Sequence, residues 1–183
     1  MRSGEIFSKL SDKDTGYLIG LFLGDGYIYH DIKNRHYDVE FYLNSVKDRE
    51  IQKYLIKILE KINLAPTVTK DKRYNCNKIR VRSKELFSYI SSFRFTKNKN
   101  FNMGVISGLI DSDGYVSWKK SYIQIINTDK KLLEKIKSLL KNFDLDSTLA
   151  KRVKSKKDKL PSYALYISFK FIKTSNNSIK AKQ

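Results

Sequence analysis

At 183 residues, with 40% hydrophobic and 13% aromatic content, the chain is globular in composition and long enough for one substantial core or two small ones. Lys and Arg number 37 against 19 Asp and Glu, a formal net charge of +18. That excess points to a polyanionic partner, nucleic acid ahead of ribosomal or membrane-surface roles, because each neutralised phosphate releases condensed counterions. A single cysteine, Cys76, with only His30 and His36 beside it, excludes a disulfide framework within the chain and disfavours a zinc cluster; the longest apolar stretch, Tyr17 to Leu23, is too short to cross a bilayer.

The first helix starts at Ser11, with Asp14 three residues on in the spacing of a capping box, and is expected to stop at Gly26, where helices commonly end in a left-handed residue. Val39, Phe41 and Leu43 then alternate with Asp38, Glu40 and Tyr42, the period of a half-buried strand. Glu50 to Ile62 carries Ile51, Leu55, Ile58, Leu59 and Ile62 at helical spacing. Ile79 and Val81 alternate with Lys78, Arg80 and Arg82, and Ser83 to Phe93 reads as a closing helix. Thr96 to Asn100 reads as a linker. Beyond it, Lys130 to Phe143 repeats the amphipathic helix with Leu132, Leu133, Ile136, Leu139 and Leu140, and Leu165, Ile167 and Phe169 repeat the alternation. His30 and His36 are expected in a surface turn, and the polar segment 175–183 as a flexible tail.

The second half echoes the first. Leu18-Ile19-Gly20-Leu21-Phe22-Leu23-Gly24-Asp25-Gly26-Tyr27 returns as Ile106-Ser107-Gly108-Leu109-Ile110-Asp111-Ser112-Asp113-Gly114-Tyr115, and Asn44 to Leu64 returns as Asn127 to Leu145. The order of the matches marks a tandem duplication, with units at 1–95 and 101–183 joined by 96–100. Gly20 and Gly24 on one helix, and Gly104 and Gly108 on the other, lie four apart and would let two helix backbones pack closely. Asp25 and Asp113 each fall at a helix C-terminus, where the helix dipole disfavours a carboxylate by roughly 0.3–1 kcal/mol. An Asp-Gly pair is often only a turn. Repeated twice behind a glycine-bearing helix, it suggests a hard divalent cation held by Asp25 and Asp113 with the carbonyls of Gly24 and Ser112.

Both ten-residue segments resemble the LAGLIDADG motif, with its second acid as Asp25 and Asp113 and the following glycine as Gly26 and Gly114; the motif's middle acid is Leu23 in the first copy and Asp111 in the second. The resemblance covers roughly Asp12 to Lys173 and implies an α+β protein of two pseudo-twofold αββαββα units. In such proteins motif helices pack at a shared interface and antiparallel four-stranded sheets saddle the DNA major groove. It further implies a monomeric homing endonuclease that hydrolyses both strands of a long, asymmetric double-stranded target, using Mg²⁺ with Mn²⁺ as substitute. Asp25 and Asp113 would ligate the metal. The family often places a glutamine at the end of the second strand and a lysine nearby; here Asn44 and Asn127 stand at the strand end, with helix capping as the alternative role, and Lys119 and Lys120 are basic candidates of which Lys120 is assigned to catalysis.

DNA readout is expected from outward strand positions. In the first copy these are Glu40, Tyr42, Thr67, Thr69, Arg73, Asn75, Lys78, Arg80 and Arg82. In the second they are Lys119, Tyr122, Gln124, Thr148, Arg152, Lys154, Tyr166 and Ser168, with Lys156 and Lys157 in the loop. Ile125 and Ile126 are adjacent and leave the register of Ser121 to Asn127 open. Tyr27, Tyr29, Tyr115 and Trp118 are expected to pack at the domain edge, with DNA contact as the alternative role. An intron-RNA-binding maturase and a non-cleaving DNA-binding protein on the same fold are the competing readings. Met1 to Gly4 begin no secretory segment; the expected location is intracellular, in a prokaryotic cytoplasm or an organelle, with no membrane partner.

Overall fold

The computed structural model describes residues 6–71, 74–153 and 160–168. Among them the elements run α1 (Asp12–Asp25), β1 (Gly26–Asp31), β2 (His36–Asn44), α2 (Arg49–Lys61), β3 (Thr67–Asp71), β4 (Cys76–Arg82), α3 (Lys84–Ser91), α4 (Lys99–Asp113), β5 (Gly114–Ser117), β6 (Tyr122–Asn127), α5 (Lys130–Lys141), β7 (Ser147–Lys151) and β8 (Tyr163–Ser168), with a 3-10 turn at Ile6–Lys9 ahead of α1. The architecture is α+β with two antiparallel four-stranded sheets, ordered β1-β2-β4-β3 and β5-β6-β8-β7. The chain forms two compact units, 1–112 and 113–183. The sequence repeat divides elsewhere, because α4 belongs to the second copy by sequence and packs against α1. Lys99 and Asn100, expected in the linker, already form the first turn of α4.

In the first unit Val39, Phe41, Leu43, Ile79 and Val81 project from one sheet face and are buried, as alternation requires. Ile51, Leu55, Ile58 and Leu59 from α2, and Leu86 from α3, complete this core. Helix α1 is buried continuously from Thr15 to Leu21, so its apolar residues encircle it instead of forming a stripe. Its start is as expected: the Ser11 hydroxyl accepts the Asp14 backbone N–H at 3.0 Å. The Asp14 carboxylate is taken up by α2, accepting the Tyr54 hydroxyl and pairing with Lys61 at 3.1 Å.

The helix end differs from expectation. Gly26 is extended, with φ −95° and ψ 153°, and opens β1 directly. A side chain there would collide with the Phe22 ring at 2.2 Å and the Phe22 carbonyl at 2.3 Å. Glycine is needed for close approach at a helix-to-strand junction without a loop, not for handedness. The left-handed positions lie after α2 and α5 instead, at Asn63 (φ 60°) and Asp144 (φ 56°), where Leu64 and Leu145 donate back to the carbonyls of Leu59 and Leu140.

The second unit repeats the scheme: Ile123, Ile125, Leu165 and Ile167 are buried beside Leu133, Ile136 and Leu140 of α5. Ile125 therefore faces inward and Ile126 shares the other face with Gln124, which settles the register of β6. Asp129 caps α5, its carboxylate accepting the Leu132 N–H at 3.0 Å.

Candidate nucleic-acid interface and motif acids

Up to Ser112, helices α1 and α4 run in the same direction with their backbones in contact. A β-carbon on Gly16 or Gly20 would lie 2.0 Å from the carbonyl oxygen of Phe101 or Val105; one on Gly104 or Gly108 would lie 2.2 Å from that of Lys13 or Tyr17. Gly16, Gly20, Gly104 and Gly108 line this contact; Gly16 extends the spacing of Gly20 and Gly24 by one turn, and Gly24 sits at the half-buried end of α1 beside Asp25. The Tyr17 hydroxyl donates to Asp111 at 2.7 Å across this contact.

Asp25 is the last residue of α1 and is half-buried. Its charge reaches the Cys76 thiol at the start of β4, whose pKa is pushed up first by burial and then by Asp25. Asp113 is the last residue of α4, and the Asn127 amide donates to its carboxylate at 2.7 Å. Burial raises the pKa of Asp113, and the Asn127 hydrogen bond only partly offsets this.

The two asparagines therefore diverge. The Asn127 oxygen accepts the Asp129 N–H at 2.8 Å while its amide holds Asp113. The Asn44 oxygen accepts the N–H groups of Val46 and Lys47 at 3.0 and 2.9 Å, its own N–H donates to Asp48, and its carbonyl accepts the Gln52 amide. Gln52, unremarked in the sequence, joins α2 to both strand ends, because its oxygen also accepts the Asn77 amide at 2.8 Å.

Lys119 and Lys120 are exposed in the turn after β5. This puts Lys120 at the turn end of the β5–β6 hairpin, about 13 Å of extended chain from Asp113. Among the described residues no group of three or more His, Cys, Asp or Glu is placed to hold a metal ion. The donors at each helix end are one acid and main-chain carbonyls; Ser112 contributes no side-chain oxygen there, since its hydroxyl turns back to the carbonyls of Gly108 and Leu109. Such a set suits a hard cation that keeps several waters, and a half-buried carboxylate at the negative end of a helix dipole is what a cation would relieve.

Cross-strand register places the expected readers. Tyr27, Glu40, Arg80 and Thr67 stand opposite one another on one face of the first sheet, flanked by Tyr42, Lys78 and Thr69 on one side and by Tyr29, Asp38 and Arg82 on the other. Thr67, Thr69, Lys78, Arg80 and Arg82 line a groove there together with Ala65. Glu40 does not offer itself to DNA: it is 5% exposed, beneath Arg80 (2.6 Å) and Lys78 (3.4 Å), and accepts the Tyr42 hydroxyl. Asn75 is a left-handed turn residue (φ 48°) whose side chain accepts the Ser45 hydroxyl, so it is spent on local structure. In the second unit Tyr115, Gln124, Tyr166 and Thr148 align across the sheet, next to Ser117, Tyr122 and Ser168. Arg152 follows β7 and is exposed. Arg73, Lys154, Lys156, Lys157, Phe169 and the tail 175–183 lie outside the described residues. Tyr27 (53%), Tyr29 (48%), Tyr115 (59%) and Trp118 (60%) are exposed, which corrects the preference for packing. His30 and His36 end β1 and begin β2, with His30 stacked on Tyr37 at 4.4 Å.

This arrangement, a glycine-lined helix ending in an acid and running straight into a four-stranded sheet, occurs twice and defines a duplicated α+β architecture. A sequence model of the LAGLIDADG-like domain matches residues 100–180, and one of the WhiA LAGLIDADG-like domain matches residues 14–90. The chain belongs to the LAGLIDADG family, with two motifs in one polypeptide. It is 31% identical over 142 residues to an uncharacterized protein of Methanocaldococcus jannaschii, a match covering 74% of this chain and 51% of that protein, so the chain spans about half that relative's length. Its fold is similar to that of I-DmoI in complex with DNA and Mn, with TM-score 0.67 and 24% identity over 92% of this chain and 98% of the other. It is also similar to full-length DUF199/WhiA from Thermatoga maritima, with TM-score 0.64 and 17% identity over 86% and 51%.

Proposed function

We propose that the chain is a site-specific double-stranded DNA endonuclease working as a monomer with Mg²⁺, or Mn²⁺ in its place. The observation that carries this reading is Asp113: a half-buried acid at a helix C-terminus, disfavoured as an anion by burial and held in one orientation by Asn127. A fold alone does not call for such a group. It is costly without a cation and useful with one. Asp25 closes α1 in the same way. Asp25 with the Gly24 carbonyl, and Asp113 with the Ser112 carbonyl, would each hold a cation, one acid serving each scissile strand. A divalent cation there supplies a water of lowered pKa and neutralises charge developing on the phosphate and leaving oxygen. Asn127 keeps the Asp113 carboxylate aimed. The sheet faces, carrying Arg80 and Arg82 in one unit and Gln124 and Tyr166 in the other, bind the duplex. The formal charge of +18 draws the polyanion in. The complexes of I-DmoI with DNA and with Mn or Ca support the same partner and cofactor class.

The WhiA-type match over residues 14–90 favours a second reading, DNA binding without cleavage. One experiment separates the two. A randomised duplex library is incubated with Mg²⁺ or Mn²⁺, ends are sequenced, and the Asp25→Asn, Asp113→Asn double variant serves as control. Metal-dependent ends at one long site, absent from the control, are expected. Sequence-selective binding without any cleavage would establish the second reading instead.

A further inference from the structure

The two sheet faces are built from different chemistry. In the first unit each arginine of β4 on the outer face sits over a buried acid of β2: Glu40 accepts Arg80 Nε at 2.6 Å, and Asp38 accepts Arg82 Nε at 3.0 Å. The acids are nearly closed off, with side chains 6% and 5% exposed, while the arginines above them are 40% and 55% exposed. The corresponding places in the second unit, fixed by register, hold neutral groups: Gln124 faces Tyr166 and donates to its hydroxyl at 2.9 Å, and Tyr122 faces Ser168.

A carboxylate buried under a DNA-binding surface opposes phosphate attraction, so its presence calls for a reason other than affinity. The guanidinium fork supplies one. With Nε tied down, the Nη1/Nη2 edge is presented outward on a side chain that has already lost much of its rotamer freedom. That edge matches the N7 and O6 acceptors of guanine in the major groove. Glu40 is held in turn by the Tyr42 hydroxyl and by Lys78, so the acid is itself fixed.

We infer that Asp38 and Glu40 are positioning residues which convert Arg82 and Arg80 from general phosphate contacts into guanine readers, giving the first unit a guanine-specific subsite that the matching positions of the second unit do not repeat. This rests on the DNA-binding reading above. The two arginines are two residues apart on one strand, about 7 Å, which is the length of two base steps. The recognised guanines are therefore two steps apart in the base pairs read by the first unit.

The test is selection from a randomised duplex pool by the full chain, with Ca²⁺ replacing Mg²⁺, for wild type, Glu40→Gln, Arg80→Lys and Arg80→Ala. Wild type is expected to enrich two guanines at that spacing. Glu40→Gln should lower the preference at one of them, on the order of tenfold, while binding to non-specific duplex stays equal or tightens, because a negative charge has gone. A merely structural role for Glu40 would weaken both. Arg80→Lys keeps the charge and loses the fork, so it should relax the same base pair alone, and Glu40→Gln should add nothing to Arg80→Ala. Selection of a site whose guanines survive both Glu40→Gln and Arg80→Lys overturns the inference and leaves the DNA reading standing. Failure of the wild type to select any sequence overturns the DNA reading, and the inference with it.

Discussion

Tyr17 donates its hydroxyl to Asp111 at 2.7 Å, joining the middle of α1 to the last turn of α4 where the two backbones touch. The matching positions of the duplicate are Val105 and Leu23, so the polar pair exists in one direction only. Tyr17 is 6% exposed and lies edge-on to Tyr54. Its pKa is raised far above the ordinary tyrosine range, by burial first and then by the Asp111 charge. The hydroxyl therefore stays a donor at every pH the protein meets.

Removing that hydroxyl should be costly. Tyr17→Phe leaves the Asp111 carboxylate without its donor, and hydrogen bonds to charged groups are worth about 1.5–3 kcal/mol. Urea denaturation of Tyr17→Phe, Asp111→Leu and the double variant should show the double change to be milder than the two single losses added together. Additive losses would show that the pair is not coupled.

The glycine contact sets a second expectation. In an exposed helix Gly→Ala stabilises by about 1 kcal/mol; at Gly20 or Gly108 the added carbon would fall about 2 Å from a carbonyl oxygen of the other helix. Either substitution should force α1 and α4 apart and lower stability by at least 1–3 kcal/mol, the usual cost of overpacking. Thermal unfolding checks the sign, and a rise in the midpoint would refute the close packing.

Glu40 ties stability to acidity. Burial alone would raise its pKa, but hydrogen bonds from Tyr42 and Arg80 and the charge of Lys78 outweigh burial and leave it lowered. The same bond, with burial second, pushes Tyr42 up to about 12. A carboxylate with a lowered folded pKa contributes stability above its unfolded pKa and loses it as pH falls through the folded value. Urea midpoints between neutral pH and about pH 3 should therefore fall on acidification, and less steeply in Glu40→Gln. Parallel curves would mean that the cluster does not stabilise the fold.

Much of this was legible beforehand, and the exceptions share a cause. Alternation at Val39, Phe41 and Leu43 and the Ser11 cap are local signals, and the structure carries them out. What failed depended on neighbours that a single chain segment cannot show. Gly26 looks like a helix stop, yet it is the Phe22 ring that demands glycine. Gly16 shares the spacing of Gly20 and Gly24, and its need for glycine shows only in the α4 backbone lying against it. Glu40 alternates like any outward residue, but Arg80 and Lys78 close over it. Asn44 and Asn127 occupy the same place in the repeat, yet the Asn44 oxygen accepts the N–H groups of Val46 and Lys47 while Asn127 accepts Asp129 and holds Asp113.

That last difference yields a prediction about the acids themselves. Asp113 has a folded pKa above the ordinary carboxylate value. For such a group the favourable, neutral state is available at low pH, and stability is lost as pH rises through the folded pKa. At neutral pH the charged Asp113 therefore strains the metal-free protein, and Asp113→Asn should raise its thermal midpoint while abolishing cleavage, the trade expected of a residue kept for function. Adding Mg²⁺ or Mn²⁺ should stabilise the wild type by binding the folded state and leave Asp113→Asn closer to its metal-free midpoint. Asn127→Ala keeps the acid but removes the group that steadies it. Its metal affinity or cleavage should drop about 10- to 100-fold, the range typical of groups that orient a ligand, with the acid limb of the rate profile moved to higher pH because the one hydrogen bond lowering the Asp113 pKa has gone. Scanning calorimetry with and without metal, beside a pH–rate profile, tests both. A destabilised Asp113→Asn protein, or an Asn127→Ala profile unmoved in pH, would show that the acid serves the fold and not the cation.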